Sequence, residues 1–167
     1  IRHLFEAAVQ VAPKQGDGKL PAMAVVAIGG YGRAELNPHS DIDIQFLCED
    51  RLLSGPKPDA YLQSVTDTVL YLLWDLGLKI GHSVRRVRDC VAEANKDMQS
   101  KTALIEARLV VGDKALFVQM EKQVHVKCVK AFVEKYTAMR IEDQAARREK
   151  FGGAVTMQEP NIKNGCG

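Results

Sequence analysis

The feature that most constrains the fold of this chain is the stretch AVVAIGGYGRAELNPHSDIDIQFL, which begins at Ala24. Its first part is a continuous run of small and β-branched apolar residues, which predicts a strand buried on both faces. The run stops at Gly29 and Gly30, and glycine pairs at the end of a strand are typical of a turn. We therefore expect a buried strand followed directly by a glycine turn.

A second strand is predicted after an excursion of ten residues, Tyr31 to Ser40. From Asp41 onward, polar and apolar side chains alternate as far as Leu47. Because neighbouring side chains of a strand point to opposite faces, Asp41, Asp43 and Gln45 should share one face and the apolar side chains the other. The apolar face should pack on the core, and the other face should present the acids.

The remainder of the chain alternates between helical and strand patterns. The predicted elements are a helix at 1–12, a helix that Asp59 caps and that runs to about Leu76, a third strand at 78–87, short helices at 88–94 and 102–109, a helix from Asp113 to about Val126 and a long charged helix at 129–150. Trp74, with apolar neighbours in its helix, is expected in the core. This order of elements predicts an α/β or α+β fold in which helices cover one side of a small mixed sheet.

Length and composition place limits on the class of protein. A chain of 167 residues fits one globular domain, and 46% hydrophobic with 26% charged residues is close to the globular average. A formal charge of +2 and an aromatic fraction of 6% argue against a nucleic-acid partner. No apolar run approaches the ~20 residues of a membrane span, so no membrane association is expected.

Four widely spaced cysteines, without a C-x-x-C pair or a secretory segment, predict reduced thiols in a cytoplasmic protein. The chain begins at Ile1 rather than Met and ends in a glycine-rich segment without a packing pattern, which suggests a domain from a longer polypeptide. We expect a catalytic core at 1–112, C-terminal helices at 113–151 packed on or beside it, and an extended tail at 152–167 that leads towards a further domain.

Two aspartates two residues apart on a strand can share one or two hard cations such as Mg²⁺. Paired metal ions ~3.5–4 Å apart assist nucleotidyl transfer by activating the attacking oxygen and neutralising the departing pyrophosphate. Glycines such as Gly29 and Gly30 let backbone amides approach a triphosphate. A D-x-D pair also occurs by chance at sheet edges. Its combination with the strand, the glycines and the excursion nevertheless favours a nucleotidyl-transfer site over a solvated acid pair.

Other phosphate-binding motifs fit the sequence less well. Gly30 and Gly32 open a G-x-G, but Glu35 stands where the third glycine of a dinucleotide-binding motif belongs. No Gly-Lys-Ser/Thr of a P-loop is present. The sequence therefore argues against both a Rossmann dinucleotide-binding site and a P-loop.

The segment GGYGRAELNPHSDIDI resembles the nucleotidyltransferase domain of the uridylyltransferases that modify the PII nitrogen-signalling protein, a branch of the DNA polymerase β-like superfamily. Three later blocks resemble the same family in the same order. They are GHSVRRVRDC at 81–90, TALIEARLVVG at 102–112 and EPNIKNGCG at 159–167. The likeness covers roughly residues 23–167. The first block alone is typical of the superfamily, whereas the ordered set is specific for the family.

The resemblance implies polymerase β-like topology and transfer of UMP from UTP to a tyrosine of PII, with release of pyrophosphate. It also implies that the reaction depends on magnesium, with two Mg²⁺ ions at the site. We expect Asp41 and Asp43 to hold the magnesium, and Gly29, Gly30 and Ser40 to cradle the triphosphate.

Two arginines are candidates for the triphosphate as well. A guanidinium binds phosphate oxygens in a fixed two-pronged geometry, which favours Arg85, and Arg33 competes for that role.

The superfamily usually supplies a third carboxylate from the neighbouring strand, but here that strand, residues 81–85, contains no acid. Asp97 is our candidate for it, and Glu106 is another. Asp97 and Glu106 could equally cap a helix or lie at the surface without a role at the site. His82 is a candidate base or phosphate ligand, or a structural histidine. Two other functions stay open at this point, namely transfer of adenylyl or another nucleotidyl group to a different acceptor, and nucleotide binding by a regulatory module without catalysis.

Overall fold

A computed structural model describes residues 1–13, 20–37 and 40–151 of the chain. Its helices and strands, in chain order, are α1 Arg2–Val11, β1 Met23–Ala27, α2 Gly29–Gly32, β2 Ile42–Cys48, α3 Ala60–Asp75, β3 Ile80–Arg85, α4 Val87–Lys96, α5 Met98–Ile105, β4 Arg108–Gly112, α6 Lys114–Val124 and α7 Val133–Phe151. A 3₁₀ turn at Asp50–Leu53 precedes α3, and π- and 3₁₀-helical turns join α6 to α7. The predicted tail at 152–167, with the last resemblance block, lies outside the described residues.

The four described strands form one mixed sheet in the order β3-β2-β1-β4. β2 is antiparallel to β1 and parallel to β3, and β4 is antiparallel to β1. The α/β class with a small mixed sheet is thus confirmed, as are the first two strands. The predicted third strand is also present, as β3, and it pairs with β2.

The prediction of a helix at 102–109 is wrong for the second half of that segment. α5 ends at Ile105, and Arg108–Gly112 is β4, which pairs with β1 from Ala24 to Ala27. The segment LIEARLVVG joins a helical pattern to a run of β-branched residues, and periodicity over so few residues does not separate the two. Pairing with a strand about 80 residues earlier decides the conformation.

Helices cover both faces of the sheet, so the expectation of one covered side is wrong. β1 is buried along its whole length, and such a strand needs cover on each face. One core lies under α1 and α3 and the other under α4, α5 and α6. The first contains Phe5, Ala8, Val25, Phe46, Val65 and Val69, among others. The second contains Val26, Leu47, Cys90, Leu104, Met120 and Val124, among others.

The predicted helix boundaries follow from capping chemistry. The Asp59 carboxylate accepts a hydrogen bond from Tyr61 N at 2.9 Å, and that of Asp113 accepts one from Leu116 N at 2.8 Å. Gly77, with φ +74°, ends α3 in the left-handed region. The predicted cap at Asp59, the helix end near Leu76 and the helix start at Asp113 are confirmed.

Trp74 is not a core residue, because 43% of its surface is exposed. The buried stripe of α3 passes through Val69 and Leu73, and the next residue along a helix points ~100° away from that stripe. The ring of Trp74 instead makes an edge contact with the ring of His82, with centroids 5.8 Å apart. The apolar neighbours in sequence therefore do not decide its burial.

The C-terminal helix α7 contacts the rest of the fold through α5. The Tyr136 hydroxyl lies 2.9 Å from Thr102 Oγ1, and the Lys101 ammonium lies over the Tyr136 ring. α7 begins at Val133, four residues later than predicted. Among the described helices, none is both long enough and apolar enough to cross a membrane.

Candidate active site

The glycines after β1 form a single helical turn, α2, and not the simple turn that the sequence suggested. Gly29 has φ +58°, a conformation that side chains with a β-carbon rarely adopt. Ile28 N, immediately before it, donates to the backbone oxygen of Asp43 at 3.1 Å. The start of α2 is thereby held against the beginning of β2, where the acids lie.

The Asp43 carboxylate lies between two glycines. Asp43 pairs with Gly81 in the parallel register of β2 and β3. A β-carbon built on Gly81 would overlap Asp43 Oδ1, and one built on Gly29 would lie 3.5 Å from Asp43 Oδ2. Each oxygen of the carboxylate therefore faces a residue without a side chain. Asp41 precedes β2 and is exposed.

A cavity of about 210 Å³ lies between the β2–β3 pair and α5. Asp43 and Arg85 both line it, so the structure brings one predicted metal ligand and one predicted triphosphate ligand to the same cavity. Gly81, His82, Ser83 and Ser100 also belong to its wall. Arg85 Nη2 lies 3.9 Å from Glu93 Oε2, a distance that leaves the guanidinium only loosely held.

Sequence reasoning missed Ser83. It lies two residues from Gly81 and from Arg85 on β3, so all three share one face of the sheet. Its Oγ is buried and has no hydrogen-bond partner among the described residues. The alternation in the resemblance block GHSVR was the signal that could have grouped these three residues on the face of Asp43.

Gln45 is fully buried, which corrects the expectation that its face of β2 is open along the strand. Helices α4 and α6 cover the face at this point, and Gln45 Nε2 donates to Cys90 Sγ at 3.2 Å. Gln45 Oε1 has no partner in the described part of the chain. The acid face is thus accessible only at the start of β2.

Arg33 is engaged by two carboxylates. Its Nη1 lies 2.5 Å from Glu106 Oε2, and its Nε lies 3.3 Å from Glu35 Oε2. The hydrogen bond to Glu106 is the main cause that raises the pKa of Arg33 above its usual value. Arg33 and Glu106, a candidate phosphate ligand and a candidate third acid, thus bind each other.

Asp97 caps α5. Helix capping is one of the roles that the sequence leaves open for this residue. Its Oδ1 accepts a hydrogen bond from Ser100 N at 2.8 Å, and this bond lowers the pKa of Asp97. Within residues 1–13, 20–37 and 40–151, no group of three or more His, Cys, Asp or Glu side chains is arranged to hold a metal ion. The structure therefore does not gather Asp97 with Asp41 and Asp43 into a three-carboxylate cluster.

Ser40 lies directly before the acids, at the end of the loop that follows α2. It is half-buried, and its backbone N donates to Asn37 O at 3.1 Å. Its role at a triphosphate stays a prediction.

The chain matches no protein-family model. It is similar to curated proteins named bifunctional uridylyltransferase/uridylyl-removing enzyme. The protein of Erythrobacter litoralis is 41% identical over 145 residues, which cover 87% of this chain and 15% of that protein. The protein of Novosphingobium aromaticivorans is 37% identical with the same coverage. That of Rhodopseudomonas palustris is 35% identical over 170 residues, which cover 100% of this chain and 17% of that protein. The chain therefore spans 15–17% of the length of these relatives.

Among solved structures, the crystal structure of a toxin-antitoxin with AMP-PNP matches with a TM-score of 0.41 and 15% identity, over 89% of this chain and 96% of that chain. Similarity of this degree is too low to assign a fold or a function to this chain.

Proposed function

Since the chain matches a fragment of the bifunctional uridylyltransferase/uridylyl-removing enzyme family, we propose that it transfers UMP from UTP to a tyrosine of a PII-type signalling protein. In this reaction the tyrosine oxygen bonds to the α-phosphorus, and the bond from that phosphorus to the pyrophosphate oxygen breaks. The observation that carries the proposal is the position of Asp43, whose carboxylate opens on a cavity that Arg85 also lines.

The donor set fits magnesium. Mg²⁺ is commonly bound by one or two carboxylates, with water and substrate phosphates as its remaining ligands. Asp41 and Asp43 would supply the carboxylates, and the absence of a side chain at Gly81 leaves the space that the Asp43 carboxylate itself occupies beside the cavity. When bound, the ion would neutralise charge that develops on the phosphate oxygens. Whether one ion or two bind depends on oxygen ligands that the nucleotide itself brings.

The chain's own residues have distinct roles in this proposal. Arg85 holds the phosphate chain at the end of the cavity away from α2, because its guanidinium can donate two parallel hydrogen bonds to phosphate oxygens. Ser40 donates to the triphosphate beside Asp41. Gly29 and Gly30 let the phosphates approach the backbone, since no side chain stands there.

A second candidate is a nucleotide-binding regulatory module without catalysis. It is favoured by the absence, among the described residues, of a three-carboxylate cluster. A protein of this kind would bind UTP with magnesium but would label no acceptor. The same site is also compatible with an adenylyltransferase that uses another acceptor, because no described contact identifies the base of the nucleotide.

The test of the proposal compares the four α-labelled nucleoside triphosphates under identical conditions, each with Mg²⁺ and a PII-type acceptor. We expect label on the acceptor with UTP alone. A mutant acceptor in which the modified tyrosine is Phe serves as the control. Labelling with ATP in preference to UTP would favour an adenylyltransferase, and magnesium-dependent UTP binding without any labelling would favour the regulatory module.

We propose a cytoplasmic location for the protein. Cys48, Cys90 and Cys128 are buried, unpaired thiols. Disulfide-free cysteines are typical of a reducing compartment, which supports this location.

A further inference from the structure

Gly81 lies in the candidate site, and the backbone conformation at this position does not require a glycine. It belongs to β3, and its φ is not among the positive values that Gly29, Gly77 and Gly112 adopt. Any residue could adopt this extended backbone. What distinguishes the position is its neighbour, because a β-carbon there would overlap Asp43 Oδ1.

Resting on the proposed function, we propose that Gly81 is a positioning residue for the metal site. By lacking a side chain, it lets the Asp43 carboxylate lie over β3, in an orientation that opens on the cavity. Position 81 is also where a side chain of the neighbouring strand would project next to Asp43, because the two residues pair in a parallel register. The site therefore works with the carboxylates of Asp41 and Asp43, and Asp43 itself takes the space that a third carboxylate on β3 would need.

Other glycines of the fold meet different atoms. A β-carbon on Gly112 would overlap the backbone oxygen of Met23, and one on Gly32 would lie 2.5 Å from the backbone oxygen of Glu106. Backbone atoms in a packed structure cannot easily move aside, so those glycines are required by the fold. At Gly81 the overlapping atom is the end of a short side chain, which can rotate. A substitution at Gly81 therefore displaces the carboxylate and leaves the fold in place.

An acid at position 81 should not restore the third carboxylate. Its β-carbon would displace Asp43 in the same way, and two carboxylates forced together repel each other. We thus expect Gly81→Asp to be at least as harmful to cation binding as Gly81→Ala.

The experiment titrates Mn²⁺, a paramagnetic substitute for Mg²⁺, into the wild type, Gly81→Ala and Gly55→Ala, and follows free Mn²⁺ by electron paramagnetic resonance. Gly55→Ala is the control, because its β-carbon would meet nothing closer than 3.4 Å. We expect Gly81→Ala to weaken Mn²⁺ binding by about tenfold or more, as supporting residues of metal ligands do. The control should bind as the wild type does. Circular dichroism should show the same fold for all three proteins.

Asp43→Asn decides whether Gly81 acts through Asp43. In that background Gly81→Ala should weaken Mn²⁺ binding no further. Wild-type affinity in Gly81→Ala, an unfolded Gly81→Ala protein, or Mn²⁺ binding that Asp43→Asn leaves unchanged would each overturn the inference. The readout does not depend on transfer, so a protein that binds Mn²⁺ as expected but labels no acceptor would contradict the proposed function and support the role of Gly81.

Discussion

The guanidinium of Arg33 lies 2.5 Å from the Glu106 carboxylate, and this pair joins the loop after α2 to the end of α5. Side-chain exposures of 45% and 26% place the pair at the surface, where one ion pair contributes roughly 0–1 kcal/mol to stability. The main consequence of this ion pair concerns which of the two arginines, Arg33 or Arg85, is available to bind a phosphate. Arg33 already has two carboxylate partners, whereas Arg85 lines the cavity beside Asp43.

The two arginines should therefore differ in their effect on nucleotide affinity. We expect Arg85→Ala to weaken the binding of a non-hydrolysable UTP analogue by about tenfold, since hydrogen bonds to charged groups contribute about 1.5–3 kcal/mol. Arg33→Ala should change the affinity by less than about threefold on the same scale. Calorimetric titration in the presence of Mg²⁺ measures both. A larger loss in Arg33→Ala than in Arg85→Ala would reverse the assignment.

Asp89 makes part of the stability depend on pH. Its carboxylate accepts hydrogen bonds from Arg86 Nε at 2.7 Å and Nη2 at 3.1 Å, which hold the pKa of Asp89 below the usual 3.8. Because the pKa is lower in the folded state, the stabilisation is fully present above about pH 4 and is lost as the pH falls through the folded pKa.

We expect Asp89→Asn to lower the unfolding free energy by about 1 kcal/mol at pH 7 and by less at pH 2. Urea unfolding at both pH values measures the difference, with the exposed Asp75→Asn as the control. An equal loss at the two pH values would show that the carboxylate charge of Asp89 does not stabilise the fold.

Gln45 carries a structural cost within the core. Within the described part of the chain, its buried Oε1 has no partner and its Nε2 donates to the sulfur atoms of Cys90 and Met120. A buried polar atom without a hydrogen bond costs about 1–3 kcal/mol. Gln45→Met keeps the side-chain length and removes both polar groups, so it should raise the unfolding free energy by about 1 kcal/mol.

Urea denaturation of Gln45→Met checks this expectation, with Gln45→Glu as the comparison. The buried carboxylate of Gln45→Glu should destabilise the protein. A clear loss of stability in Gln45→Met would mean that Oε1 is satisfied in the folded protein, for example by a buried water molecule.

The sequence predicts the acid pair and its supporting strands because their signals are local. The alternation after Asp41 and the glycines after β1 each need only a few neighbouring residues to be recognised. The caps of α3 and α6 are predictable for the same reason, since Asp59 and Asp113 bond to amides two and three residues away.

What the sequence does not predict depends on partners far along the chain. β4 becomes a strand through pairing with β1, and Gln45 is buried because α4 and α6 fold over it. The role of Gly81 appears only with the register that sets it opposite Asp43. The ion pair between Arg33, a predicted phosphate ligand, and Glu106 likewise forms only when the fold brings two distant segments together.

The most direct test of the proposed chemistry removes the acid pair. The wild type and the Asp41→Ala/Asp43→Ala protein, each shown to be folded by circular dichroism, are incubated with Mg²⁺, α-labelled UTP and a PII-type acceptor. We predict that the substituted protein labels the acceptor about a hundredfold more slowly or not at all, since a bound metal ion contributes several kcal/mol to stabilising the transition state. Equal labelling by the two proteins would contradict the assignment of Asp41 and Asp43 as the ligands of a catalytic cation.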